Sequence, residues 1–134
     1  MIVLWRKIEG ISKTIEFVPD DSYIWDEDDE MRNYHFVSTS GIIKQFVRVG
    51  YEILSEVLPE DLISVVLSVK VKQIFPVMVG DKLVLGVRVT KIDENYIYFS
   101  GILTKDNKKV AEAEFVRVVV SRNYLRRKAV EEAT

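Results

Sequence analysis

The chain has 134 residues, 48% hydrophobic and 30% charged, with a formal net charge of −2. That size and balance fit one globular domain with its own core and exclude a disordered chain. The absence of cysteine excludes disulfides and thiolate metal sites. Lys and Arg are scattered, so nothing points to a nucleic-acid partner. With His35 as the single histidine, a zinc site would rest on carboxylates, and no metal is expected. The opening Met1–Arg6 is too short for a signal-peptide apolar region, and no apolar run is long enough to span a membrane. The cytoplasm is therefore the expected compartment. Many charges, few Gln and no Cys are also what a heat-adapted source would show.

Lys13–Val18 alternates through Ile15 and Phe17 as a half-buried strand does. Pro19-Asp20-Asp21-Ser22 breaks it. Ser22–His35 has no clean period and reads as an ordered loop or a short irregular helix. Its acidic run, Asp26–Glu30, reads as a solvated face, with a divalent-cation site as the alternative. Ser38-Thr39-Ser40-Gly41 then opens one long helix, because Ser and Thr hydroxyls cap the first free N–H groups. Ile42, Phe46, Val49, Gly50 and Ile53 recur at steps of three or four, and Val47, Leu54 and Leu58 widen the stripe. A stripe this wide predicts a helix wrapped on several sides. Gly50 within it predicts close approach to a strand. Pro59 marks the end.

Everything beyond Pro59 reads as strand. In Ile63–Phe75 the odd positions Val65, Leu67, Val69 and Val71 share one face, with Ser64, Ser68, Lys70 and Lys72 on the other. Leu83–Ile92, Tyr96–Thr104 and Val110–Ser121 follow, joined by turns at Asp93–Asn95 and Asp106-Asn107. Phe115–Val120 is almost continuously apolar, as in a central strand covered on both faces. The basic tail after Ser121 has the makings of a last short helix. No repeat or linker divides the chain, which reads as one domain with its core over Ile11–Tyr124 and a tail from residue 125.

Strand, long apolar helix and meandering strands make an α+β protein: a curved antiparallel sheet of about five strands around one central helix. Ser40-Gly41 at the helix start, the passage Gln73–Asp81, and Ala113-Glu114-Phe115-Val116-Arg117 resemble the fluoroacetyl-CoA thioesterase group of hotdog proteins. The similarity covers about Ile11–Tyr124, nearly the whole chain. It implies a hotdog fold, a homodimer with one continuous sheet, and an acyl-CoA ligand lying between the subunits. No separate cofactor is implied. Phe75, Pro76, Val79 and Gly80 fall where the thioester is bound, and Lys72 and Arg122 are candidates for the CoA phosphates. A solvated basic tail is the simpler account of Arg122.

Thioester hydrolysis needs a donor for the carbonyl oxygen, a nucleophile and a group that moves protons. The free N–H groups of the helix start offer a carbonyl donor at the Gly41 amide, joined by that of Ile42, and the resemblance puts a hydroxyl at Ser40. Capping of the helix by Ser40, or by its neighbours Ser38 and Thr39, is the simpler account. The chain departs from the family at two positions: Arg48 stands where the family has a glutamate, and Gln73 where it has a histidine. Arginine stays protonated and glutamine exchanges no proton usefully, so neither replaces the missing group. Gln73 is open to two roles, ligand contact or structural hydrogen bonding. Arg48 either pairs with Glu52 or binds an acidic acyl group. His35 is either a packed aromatic or a substitute base from the same or the neighbouring subunit. The expected function is acyl-CoA hydrolysis with a non-standard catalytic set. The alternative is a non-catalytic acyl-CoA-binding or regulatory protein. A hotdog dehydratase or hydratase needs a paired Asp and His, and no histidine stands at a matching position.

Overall fold

Two tight turns fold the C-terminal half back on itself. Asp106 (φ 50°) and Asn107 (φ 62°) both adopt the left-handed backbone of a two-residue hairpin and bring Lys105 opposite Lys108. Glu94 (φ 53°) does the same work between Asp93 and Tyr96. A computed structural model of the protein describes residues 4–133. In it Ser12–Phe17 (β1), Leu62–Gln73 (β2), Leu83–Asp93 (β3), Tyr96–Lys105 (β4) and Lys108–Ser121 (β5) form one antiparallel sheet, ordered β1-β3-β4-β5-β2. Short helix α1 (Asp29–Arg32) lies in the irregular segment, α2 (Thr39–Ser55) is the long helix, and α3 (Arg122–Ala133) is the tail. No helix among the described residues is long and apolar enough to cross a membrane.

Helix α2 touches β1, β2, β3 and β5, so the sheet curves around it as its wide stripe requires. Ile42, Phe46, Val49, Ile53 and Leu54 are buried. Glycines let the aromatic rings in. A Cβ at Gly101 of β4 would lie 2.6 Å from Phe46 Cδ1, and one at Gly50 would lie 2.6 Å from Phe115 Cε2. The close approach expected at Gly50 is thus to β5, where Phe115 stacks on Phe99 at 4.7 Å. Each such fully buried side chain contributes roughly 1.5–3 kcal/mol.

The simple alternation expected along β2 fails at one place. The register with β5 shifts between Val66 and Ser68, leaving Leu67 unpaired and 59% exposed. Before this bulge Ser64 is turned inward, opposite Val119; after it Val69, Val71 and Gln73 take the inner face. Ser64 is 3% exposed, not on the solvent side. β5 is central as expected, but its outer residues Val116, Val118 and Val120 are only half-buried within the chain. Trp5 and Ile8, ahead of the first strand, are buried against the core and belong to no element read from the sequence.

Candidate functional site

The site is built around the first turn of α2. Ser38 is extended (φ −70°, ψ 146°), and its hydroxyl accepts from the Gly41 amide at 3.2 Å. Gly41 is glycine for a packing reason: a Cβ there would sit 2.5 Å from Tyr23 Cδ1. Tyr23 in turn packs edge-on against Phe17 and accepts a hydrogen bond from Gln45 Nε2. Main-chain bonds lock the surrounding passages together. Ser38 N donates to Tyr23 O (2.8 Å), Trp25 N to Phe36 O (2.7 Å), Val37 N to Val77 O (2.8 Å) and Val79 N to His35 O (2.9 Å).

These passages enclose a cleft of about 410 Å³. Trp25, Phe36, Val37 and Pro76 supply apolar wall. Ser38, Thr39, Ser40, Gln73 and Glu27 supply its polar groups. Gln73 ends β2 beside the helix start: its Oε1 accepts from Thr39 Oγ1 at 2.8 Å, and its Nε2 donates to Phe75 O at 3.3 Å. Ser40 Oγ donates to Ser38 Oγ at 3.1 Å. Glu27 Oε1 accepts from the Trp25 indole at 2.8 Å.

Of the residues singled out in the sequence, the structure brings Ser40, Gln73 and Pro76 into this cleft. Gly41 lies buried behind it, and its amide is held by Ser38 Oγ and by Ser38 O at 3.1 Å. The Ile42 amide is likewise engaged by Ser38 O at 3.3 Å. The amides of Thr39 and Ser40 remain as the N–H groups of the first turn that have no intrahelical acceptor. Together with the helix dipole they favour negative charge at the mouth of the helix.

Arg48 does not line the cleft. Its side chain is 65% exposed and lies 3.7 Å from Glu52 Oε1, which Lys13 also approaches through Oε2 at 3.4 Å. His35 is exposed, adopts φ 62° where the chain leaves α1, and is absent from the cleft wall. Phe75 is 42% exposed with Lys108 Nζ 4.0 Å from its ring centre. Val79 and Gly80 form the turn behind it; Gly80 (φ 89°) donates to Pro19 O at 2.9 Å. Lys72 lies on the outer face of the sheet in a hollow shared with Glu112. Arg122 sits beyond the other end of α2, its Nε donating to Glu60 O at 2.8 Å.

The sequence reading missed Trp25, Glu27 and Thr39. Thr39 was visible only as part of a cap, and Glu27 was one acid among several in Asp26–Glu30. Asp28 of that run caps α1 by accepting from Met31 N at 3.0 Å. Among the described residues no group of three or more His, Asp or Glu is placed to hold a metal ion.

Residues 18–123 match the family model of the fluoroacetyl-CoA-specific thioesterase. No curated protein matches the chain by sequence. Among solved structures, a hot-dog-like protein from Thermanaerovibrio acidaminovorans superposes with a TM-score of 0.87 at 23% identity, covering 96% of this chain and 94% of that one. A thioesterase superfamily member from Thermus thermophilus gives 0.81 at 17% identity, covering 96% and 99%. A fluoroacetyl-CoA thioesterase gives 0.81 at 11% identity, covering 92% and 95%. Mutants of that enzyme have been solved with fluoroacetate and CoA and with acetyl-CoA. These likenesses show the hotdog fold.

Proposed function

The chain belongs to the fluoroacetyl-CoA-specific thioesterase family, and from that premise we propose that it binds acyl-CoA and hydrolyses the thioester in the cleft at the start of α2. The observation that carries this reading is the first turn itself: Thr39 and Ser40, whose amides have no intrahelical acceptor, line the cleft beside Gln73. Such amides are suited to the oxygen of a thioester carbonyl as it becomes an oxyanion. Removing one donor of that kind costs roughly 100- to 1000-fold in rate. The Ser40 hydroxyl adds a group that can position the carbonyl or the attacking water, and the Gln73 amide can hold either by hydrogen bonds. Pro76 forms part of the apolar wall.

The acyl group this cleft favours is short and uncharged. Its wall is aromatic and aliphatic, no cation lines it, and Glu27 would repel an acidic acyl chain. Arg48, the candidate for binding a dicarboxylic acyl group, is occupied by Glu52 on the helix surface.

The proposed assembly is a homodimer joined along β2. β2 is an edge strand of 12 residues, and an edge of that length needs cover. Two copies paired antiparallel about a two-fold axis set the start of one β2 beside the end of the other. Arg122 of one copy then approaches the cleft of the second, where a CoA phosphate suits it. Within one protomer Arg122 and the cleft are at opposite ends of α2.

A second reading, binding without hydrolysis, draws on the absence of Arg48 and His35 from the cleft wall and on Gln73 in place of a base. Free-thiol release from a panel of short, long and dicarboxylic acyl-CoAs separates the two. Turnover of short neutral acyl-CoAs is expected. Measurable CoA binding with no turnover across the panel would sink the enzyme reading.

A further inference from the structure

Building on the thioesterase reading above, we propose that Glu27 is the proton-transferring carboxylate of the cleft, a task that neither Arg48 nor Gln73, at the family's usual positions, can perform. Glu27 is the one ionisable side chain among the residues that line the cleft. It reaches there because the loop that carries it is fixed from behind: Trp25 N donates to Phe36 O, and Ile24 and Val37 form a β-bridge. The Trp25 indole then donates to Glu27 Oε1 at 2.8 Å and holds one carboxylate oxygen, leaving the other for water. Thr39 and Ser40, whose amides would take the carbonyl oxygen, line the same cleft. A base and an oxyanion site bordering one small space is the arrangement that hydrolysis needs.

The step balances with no further reactant. Water loses a proton to the Glu27 carboxylate as its oxygen forms a bond to the thioester carbon, and the carbonyl electron pair moves onto oxygen beside the Thr39 and Ser40 amides. Collapse of that intermediate breaks the C–S bond, and the sulfur takes the proton back from Glu27 as CoA thiol leaves. The carboxylic acid product releases its own proton to solvent. Asp26 and Asp28 flank Glu27 in the chain, and Asp28 is engaged at the start of α1.

The test is steady-state hydrolysis of acetyl-CoA and propionyl-CoA by Glu27→Gln, Glu27→Asp and Trp25→Phe, with CoA binding and melting temperature measured alongside. Glu27→Gln is expected to lower kcat by about 100-fold or more while CoA binding and melting stay within error. Glu27→Asp should recover part of the rate, and Trp25→Phe should lower kcat several-fold with KM unchanged. Asp29→Asn, an exposed acid outside the cleft, is the control and should match wild type. An active wild type whose rate survives in Glu27→Gln overturns the role of Glu27 and leaves the thioesterase reading standing. A wild type that binds CoA without turnover overturns both.

Discussion

Two polar sites lie along α2, and they treat their hydrogen-bonding groups in opposite ways. Toward the second half of the helix, Arg117 of β5 is 6% exposed. Its Nε donates to Ser64 Oγ (2.8 Å), Nη1 to Val47 O (2.9 Å) and Nη2 to Ser64 O (3.0 Å). Its ring neighbour is Tyr51 at 5.4 Å, and no carboxylate pairs with it among the described residues. Burial lowers the guanidinium to about 10, so it remains charged at neutral pH. At the first turn, by contrast, Thr39 Oγ1 bonds Gln73 and Ser38 Oγ bonds the Gly41 amide, while Thr39 and Ser40, whose amides have no intrahelical acceptor, line a cleft. A polar group whose partners all belong to the chain holds the fold together. One with donors left over is poised for a ligand.

Substitutions can break this contrast, and the closed site should respond most in stability. Arg117→Ala is expected to cost about 4 kcal/mol, because it opens a cavity and strips partners from the buried Ser64 hydroxyl and carbonyl. The denaturant midpoint should fall with m unchanged. Arg117→Met keeps the volume and removes the buried charge, so it should cost clearly less. Because the folded value lies below that of the unfolded chain, its share of stability is fully present only at strongly alkaline pH and is lost as pH falls through about 10. Across the neutral range the difference between Arg117→Met and wild type should therefore be flat, a point that melts at about pH 6 and about pH 9 would check.

The next effect in size is at Gly50→Ala, which drives a Cβ toward Phe115 Cε2 and should destabilise by about 2 kcal/mol despite the better helix propensity of alanine. The open site should respond differently. Gln73→Ala is expected to reduce any acyl-CoA turnover by about 10-fold while costing roughly 1 kcal/mol or less in stability. If the melt moves as far as it does for Arg117→Ala, the contrast between the two sites is false. Ser38→Ala removes the cap and should cost about 1 kcal/mol, read by denaturation. Arg48→Ala removes only a solvent-exposed ion pair on the helix surface and should stay within about 0.5 kcal/mol of wild type, with turnover unchanged.

Most of the architecture was legible because it rests on local signals. The span of α2 follows from the Ser38 cap and the spacing of Ile42, Phe46, Val49 and Ile53. The β4–β5 hairpin follows from Asp106-Asn107, which tolerate the left-handed backbone. Gly50 was readable as a point of close approach, and Ser40 and Gln73 as neighbours of a cleft through the family resemblance. Arg117 was not legible as a buried cation, since within Phe115–Val120 it looked like one interruption in an apolar strand. The buried Trp5 was missed because a single turn of 3₁₀ helix carries no period.

The sequence by itself determined the helix, the strands, their turns and the resemblance that points to an acyl-CoA cleft, because capping, periodicity and turn chemistry act between residues a few positions apart. Tertiary structure alone decided the bulge at Leu67, which depends on pairing with β5 and turns Ser64 inward to meet Arg117. It also decided which acid of Asp26–Glu30 reaches the cleft and which amides of the helix start are left over. Those outcomes depend on where one loop lies against another, and neighbouring residues in the chain carry no record of that placement.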